Sequence, residues 1–137
     1  MYLTAQEKQL LFSIYGKKRF SIVRFELRSS KEKDLISTAL NHVHLESRED
    51  TMETVKALGA KLAALQEKGL IFISYSLAVT ARSDYALYYE SQLYRQFCAL
   101  TEQGKQRPEF LFDTPYIKRG LVTLTPKGLQ LCRRLCK

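Results

Sequence analysis

Phe20-Ser-Ile-Val-Arg-Phe-Glu-Leu-Arg28 runs directly into Ser29-Ser-Lys-Glu32 and then Lys33-Asp-Leu-Ile-Ser-Thr-Ala-Leu-Asn-His-Val43, and the architecture turns on this junction. In the first stretch Val23, Phe25 and Leu27 fall on one side and Arg24, Glu26 and Arg28 on the other. A period of two predicts a half-buried strand. Ser29 and Glu32 have the spacing of a capping box, in which each side chain satisfies a free N–H of a helix start. Leu35, Ile36, Ala39, Leu40 and Val43 then recur at helical intervals, so the second stretch is expected to be a helix with those residues buried.

Upstream, Thr4-Ala-Gln-Glu7 is another capping box, and Leu10, Leu11, Ile14 and Tyr15 continue it as a helical stripe ending at Gly16. Downstream, Leu45 to Glu49 reads as a turn, and Asp50 with Glu53 opens a helix Thr51–Lys68 whose core stripe is Val55, Leu58, Leu62 and Leu65. Gly69 supplies its left-handed cap. Leu70 to Leu77 is dense in strand formers. Ser83 or Asp84 is expected to cap a long helix to Gln103, closed by Gly104, with Ala86, Tyr89, Leu93, Phe97 and Leu100 as its apolar stripe. Short strands are expected at Glu109–Phe112 and Leu121–Thr125. Thr125-Pro126, an N-cap followed by Pro at the first helical position, starts a last helix toward Lys137.

The 137 residues fit one domain, 1–137, and 45% apolar with 26% charged residues is a globular composition. No apolar run approaches the ~20 residues that span a bilayer, and no basic-then-apolar signal precedes the first helix, so a cytoplasmic protein without membrane contact is expected. Cys98, Cys132 and Cys136 have no framework spacing and read as reduced thiols. The formal net charge is +8. Residues 1–34 carry 8 basic and 4 acidic side chains and residues 105–137 carry 8 and 2, so the excess sits at the two ends. Such an excess favours an acidic partner, nucleic acid first; the bland reading is a solvated basic surface.

The order helix–strand–helix–turn–helix–strand, closed by a later strand, is that of a winged helix-turn-helix. Leu62-Ala-Ala-Leu65-Gln-Glu-Lys68-Gly69-Leu70-Ile71 resembles the end of a recognition helix turning into the first wing strand. Arg119-Gly-Leu-Val-Thr-Leu-Thr125-Pro-Lys-Gly128-Leu-Gln-Leu131 resembles the second wing strand entering the helix that follows. Both are similar to MarR- and PadR-like bacterial transcriptional regulators. The resemblance implies an α+β, mainly α fold with a small antiparallel sheet, and a long helix at about 84–103 inserted in the wing. It further implies a regulator that binds duplex DNA, with Thr51–Lys68 in the major groove and Lys118 and Arg119 near the wing tip against phosphate.

On that reading Lys17, Lys18, Arg19, Arg48, Thr51, Lys56, Lys61, Lys118 and Arg119 are the nucleic-acid contacts. The outward face of the recognition helix, Glu53, Lys56, Ala60, Ala64 and Glu67, is poor in side chains that read bases, and its carboxylates repel phosphate. A winged helix used for protein–protein contact is therefore the rival. The aromatic insertion serves the core or a homodimer interface through Tyr85, Tyr88 or the last helix. His42, His44, Cys132 and Cys136 match no closed zinc site and are expected to be ordinary packing or surface positions, with no metal or cofactor. A redox role for Cys132 or Cys136 beside Arg133 and Arg134 is a lesser alternative. Phosphate loops and nucleophile elbows are missing, so the chain is expected not to be an enzyme.

Overall fold

The computed structural model describes residues 2–17, 20–75, 85–107 and 111–135. Among them the chain forms α1 (Ala5–Gly16), β1 (Phe20–Arg28), β2 (Ile36–Val43), α2 (Met52–Glu67), β3 (Ile71–Ser74), α3 (Ala86–Tyr89), α4 (Gln92–Lys105), β4 (Thr114–Leu124) and α5 (Pro126–Leu135). The strands make one antiparallel sheet in the order β2-β1-β4-β3. β1 is interior and pairs along its whole length with β4, from Phe20 opposite Val122 to Arg28 opposite Thr114.

Local chemistry accounts for most element ends. The Thr4 hydroxyl accepts from the N–H of Glu7, and the Glu7 carboxylate accepts from the N–H of Thr4, each at 3.0 Å. Gly69 takes a φ of 74° at the end of α2. Thr125 caps α5 by accepting from the N–H of Gly128 at 3.0 Å. The cap of α2 is Thr51 rather than Asp50; Asp50 instead accepts from the N–H groups of Glu46 and Ser47 in the preceding turn.

Three expectations are corrected. Residues 36–43 are the edge strand β2, not a helix. The Ser29 hydroxyl does accept from the N–H groups of Lys31 and Glu32, but it caps a turn. The backbone beyond it satisfies the free edge of β1, and Ile36 is left 48% exposed, so the helical spacing of its apolar residues buries little. The expected helix 84–103 is broken: Ser91 ends α3 by donating to the carbonyl of Tyr88 and starts α4 by accepting from the N–H of Tyr94. Gly104 lies inside α4 rather than closing it. Finally, Leu121–Leu124 is the end of one 11-residue strand, β4, that absorbs Lys118-Arg119-Gly120, and Thr125 lies just past it as the cap of α5. The expected caps Ser83 and Asp84 lie outside the described residues, as do Ser76 and Leu77 at the end of the Leu70–Leu77 strand; of the other short strand, Glu109 and Phe110 lie outside them too, while Leu111 and Phe112 are not in a strand.

Phe20–Arg28 does pair with β4, but only Phe20 and Ser21 pair within Leu121–Thr125, opposite Val122 and Leu121, and the fold is not a winged helix. With β2 in place of a helix after β1, no helix leads through a turn into α2 as the winged-helix reading required, and the sheet has four strands.

Two cores flank the sheet. On one face Phe20, Ile22, Ile71, Ile73 and Val122 meet Leu10, Leu11 and Ile14 of α1, Leu62 and Leu65 of α2, and Cys132 of α5. On the other, Val23, Phe25 and Ile117 meet Tyr85 and Tyr88 of the α3 region and Leu93 and Phe97 of α4. α2 bridges them, since Val55 belongs to the second core. Tyr85 and Tyr88, expected as dimer contacts, are 0% and 1% exposed and serve this second core.

The seat of α5 depends on a missing side chain. Leu70 accepts from the N–H of Thr125, and a Cβ on Gly128 would collide with that same carbonyl. Gly128→Ala is predicted to destabilise the protein by about 1–3 kcal/mol, because backbone must shift to make room. Gly16, in open space at the end of α1, is the control: Gly16→Ala is predicted to stabilise by roughly 0.5 kcal/mol. Urea midpoints of the two variants check both.

Candidate nucleic-acid interface

Strand alternation places the site. The first-core face of β1 begins with Phe20 and Ile22 and continues as Arg24, Glu26 and Arg28. Cross-strand partners share a face, so Lys118 (opposite Arg24), Tyr116 (opposite Glu26) and Thr114 (opposite Arg28) stand beside them. Tyr75, just past β3, continues the side of Ile71 and Ile73 and packs on the edge of the first core. Apolar chemistry thus gives way, along one face of one sheet, to a basic and aromatic array.

Glu26 organises the array. It is 3% exposed, and Arg28 grips it through Nε and Nη2 at 3.1 and 2.8 Å, while Arg24 approaches its other oxygen at 3.7 Å. Each guanidinium, held at the carboxylate, lies on an aromatic ring. Arg28 is 3.6 Å from the centroid of Tyr116, and Arg24 is 4.2 Å from that of Tyr75. Arg24 also donates to Asn41 Oδ1 at 3.0 Å. The two arginines, Lys118 and Glu26 sum to a net +2, and Tyr116 remains 42% exposed.

The Tyr75 ring lies where a side chain at 120 would be. A Cβ on Gly120 would come within 2.7 Å of both Tyr75 Cδ1 and the carbonyl of Ser74. The Tyr75 hydroxyl accepts from the N–H of His42 at 3.1 Å and lies within hydrogen-bond distance of His42 Nδ1 at 2.9 Å. Burial pushes the Tyr75 phenol up to about 12. His42 is held in place by an irregularity: β2 bulges where Val23 and Phe25 pair with Val43 and Leu40, and His42 takes a φ of 52°.

The expected contacts disperse. Lys118 stands on the array, but Arg119 points to the opposite face, over the rings of Tyr85 and Tyr89 at 5.2 and 5.8 Å. Neighbouring strand residues cannot act from one tip, which corrects their joint placement at a wing. Lys17 pairs with Glu46 at 2.8 Å and Arg48 with Glu90 at 3.2 Å. Thr51 is the cap of α2, and Lys56 and Lys61 lie along that helix. Lys18 and Arg19 lie outside the described residues. Arg24, Arg28, Tyr75 and Tyr116 of the array were not among the expected contacts. The available signal was the polar side of β1, matched by Tyr116 and Lys118 two residues apart on another strand.

The two histidines are separately engaged. His44 stacks on Phe20 at 3.9 Å, with Nδ1 2.6 Å from the Ser21 carbonyl and Nε2 2.8 Å from Glu46. Burial raises the Glu46 carboxyl, but hydrogen bonds from Lys17 and His44 outweigh it and hold it below the usual range. His42 is pushed below the ordinary histidine value of 6.5, first by burial and then by the charge of Arg24. Its neutral form is thus favoured by folding, so its contribution to stability is complete above pH 6.5 and is lost as pH falls from 6.5 through the lowered value. NMR titration is predicted to find His42 titrating below 6.5, and Arg24→Ala to move it upward.

No family model and no curated protein matches the chain. Its fold is similar to the solved structure of an uncharacterized protein from the hydrocarbon-degrading marine bacterium Alcanivorax borkumensis SK2, at 17% identity and a TM-score of 0.50. That likeness covers 98% of this chain and 87% of the other, and it is a likeness of fold alone.

Proposed function

We propose that the chain binds single-stranded nucleic acid across the Arg24–Arg28 part of its sheet. The observation that carries this reading is the array of Arg24 over Tyr75 and Arg28 over Tyr116, beside Lys118. Single strands are held by cations that follow the backbone and by flat groups on which bases stack, and this face offers both. Same-face residues of a strand stand about 7 Å apart, so the cations are spread along the sheet rather than gathered at a point. The exposed ring of Tyr116 and the guanidinium planes provide stacking, while Arg24, Arg28 and Lys118 meet phosphates. Glu26 keeps the guanidinium planes oriented before ligand arrives, which lowers the ordering cost of binding.

A single strand suits this surface better than a duplex. Duplex reading wants a helix or ribbon projecting into a groove about 12 Å wide. The outward side of α2 shows Glu53, Lys56, Ala60 and Glu67, of which Lys56 alone donates to a base edge, while the two carboxylates repel phosphate.

Fluorescence anisotropy with a labelled single-stranded oligonucleotide tests the reading. Three phosphate contacts predict a slope of about −2 for log affinity against log salt. Arg28→Ala should weaken binding and reduce the steepness by about 0.7. Tyr116→Ala should weaken it by about 1–3 kcal/mol and leave the slope alone, because stacking releases no counterions. Arg48→Ala and Lys56→Ala should change neither. Tighter binding of duplex, or equal losses from all four substitutions, would overturn the proposal.

A further inference from the structure

A second concave surface lies away from the array, where the segment leading into α1 passes α5. Its volume is about 440 Å³. Leu70, Leu131 and Leu135 form the floor, and Tyr2 stands at the mouth, 79% exposed. Three cations, Lys8, Lys127 and Arg134, ring the floor. Among the described residues, none that lines it is acidic.

The helical geometry of α5 builds this groove. Gly128 and Cys132 are buried toward the sheet. Lys127, Leu131, Arg134 and Leu135 recur at intervals of four, three and one and so share a second side of the helix. That side is apolar along its middle and cationic at its margins. Leu135 is 44% exposed, so the core leaves this strip in contact with solvent.

The cations are not there to satisfy neighbouring acids. Lys127 donates to the carbonyl of Lys68 at 3.3 Å, and Lys8 and Arg134 have no ion pair or side-chain hydrogen bond among the described residues. The nearby carboxylate, Glu7, is already bound by Lys68 at 2.7 Å, which holds it below the usual range. The lining therefore combines an apolar floor with uncompensated positive charge at the rim. A volume of this size lies in the range that encloses a small molecule.

From this charge and shape complementarity we infer that the groove is a binding site for a single-chain amphiphile with an anionic head, of the fatty carboxylate class. The tail lies on Leu70, Leu131 and Leu135, and the carboxylate meets Lys8 and Arg134. A neutral head group forfeits the ionic contacts, and a cationic one is repelled.

Calorimetric titration of the full chain with octanoate, decanoate, decanol and decyltrimethylammonium, all below their micellar concentrations, tests the assignment. Decanoate is expected to bind one to one, roughly tenfold tighter than octanoate, since two more methylenes leave water. Decanol should bind at least about tenfold more weakly, consistent with the strength of charge-assisted contacts, and the ammonium should not bind. Lys8→Glu with Arg134→Glu, both at exposed positions, should abolish the preference for decanoate over decanol. Circular dichroism of that variant confirms that it folds. Leu131→Asn, a second variant, should weaken decanoate and decanol alike. Absence of saturable binding, equal affinity for decanoate and decanol, or a preference that survives the double charge reversal would overturn the inference.

Discussion

Everything in this fold hangs on β1 being hydrogen-bonded along both edges. β4 takes one edge over nine consecutive residue pairs, and β2 takes the other through an irregular register. Once a strand is fixed on both sides, its side chains can only point up or down, and the sequence of β1 then allots chemistry to each face. Val23 and Phe25 nucleate one core; Phe20 and Ile22 nucleate the other. From Arg24 onward the second allotment changes from apolar to charged, and the first core stops there.

That change of character makes the site. A buried carboxylate in a sheet is costly unless paired, and Glu26 is paired twice. Breaking either pair by removing one arginine leaves the other to hold it, so the array tolerates substitution at its rim better than at its centre. The rings under the guanidinium groups come from different strands, Tyr116 from β4 and Tyr75 from the end of β3, which ties the site to the register of the whole sheet. Gly120 is where Tyr75 meets β4, because a side chain there would collide with the ring.

Much of this was legible in the sequence where the deciding interaction is local. The Thr4–Glu7 box, the Gly69 cap and the Thr125-Pro126 start are choices made within four residues, and each is found in place. The two sides of β1 were also legible. The strand β2 was not, because Leu35, Ile36, Ala39, Leu40 and Val43 satisfy a helical spacing and only the open edge of β1, distant in sequence, decides against it. Lys118-Arg119-Gly120 falls between two expected short strands for a similar reason: a glycine beside two cations shows no strand pattern locally, whereas Gly120 makes room for a ring from beyond another strand. The winged-helix expectation fell with β2. The array itself was hidden because its members, on β1, β3 and β4, are brought together by sheet register alone.

The most direct measurement of the central claim is an amide and arginine side-chain NMR map of the full chain titrated to saturation with a short single-stranded oligonucleotide. The largest shifts are expected on Arg24–Arg28, Thr114–Lys118 and Tyr75, with the Arg24 and Arg28 Nε–H signals among them. Shifts centred on α2, or on the groove between α5 and the segment before α1, with β1 and β4 unmoved, would contradict it.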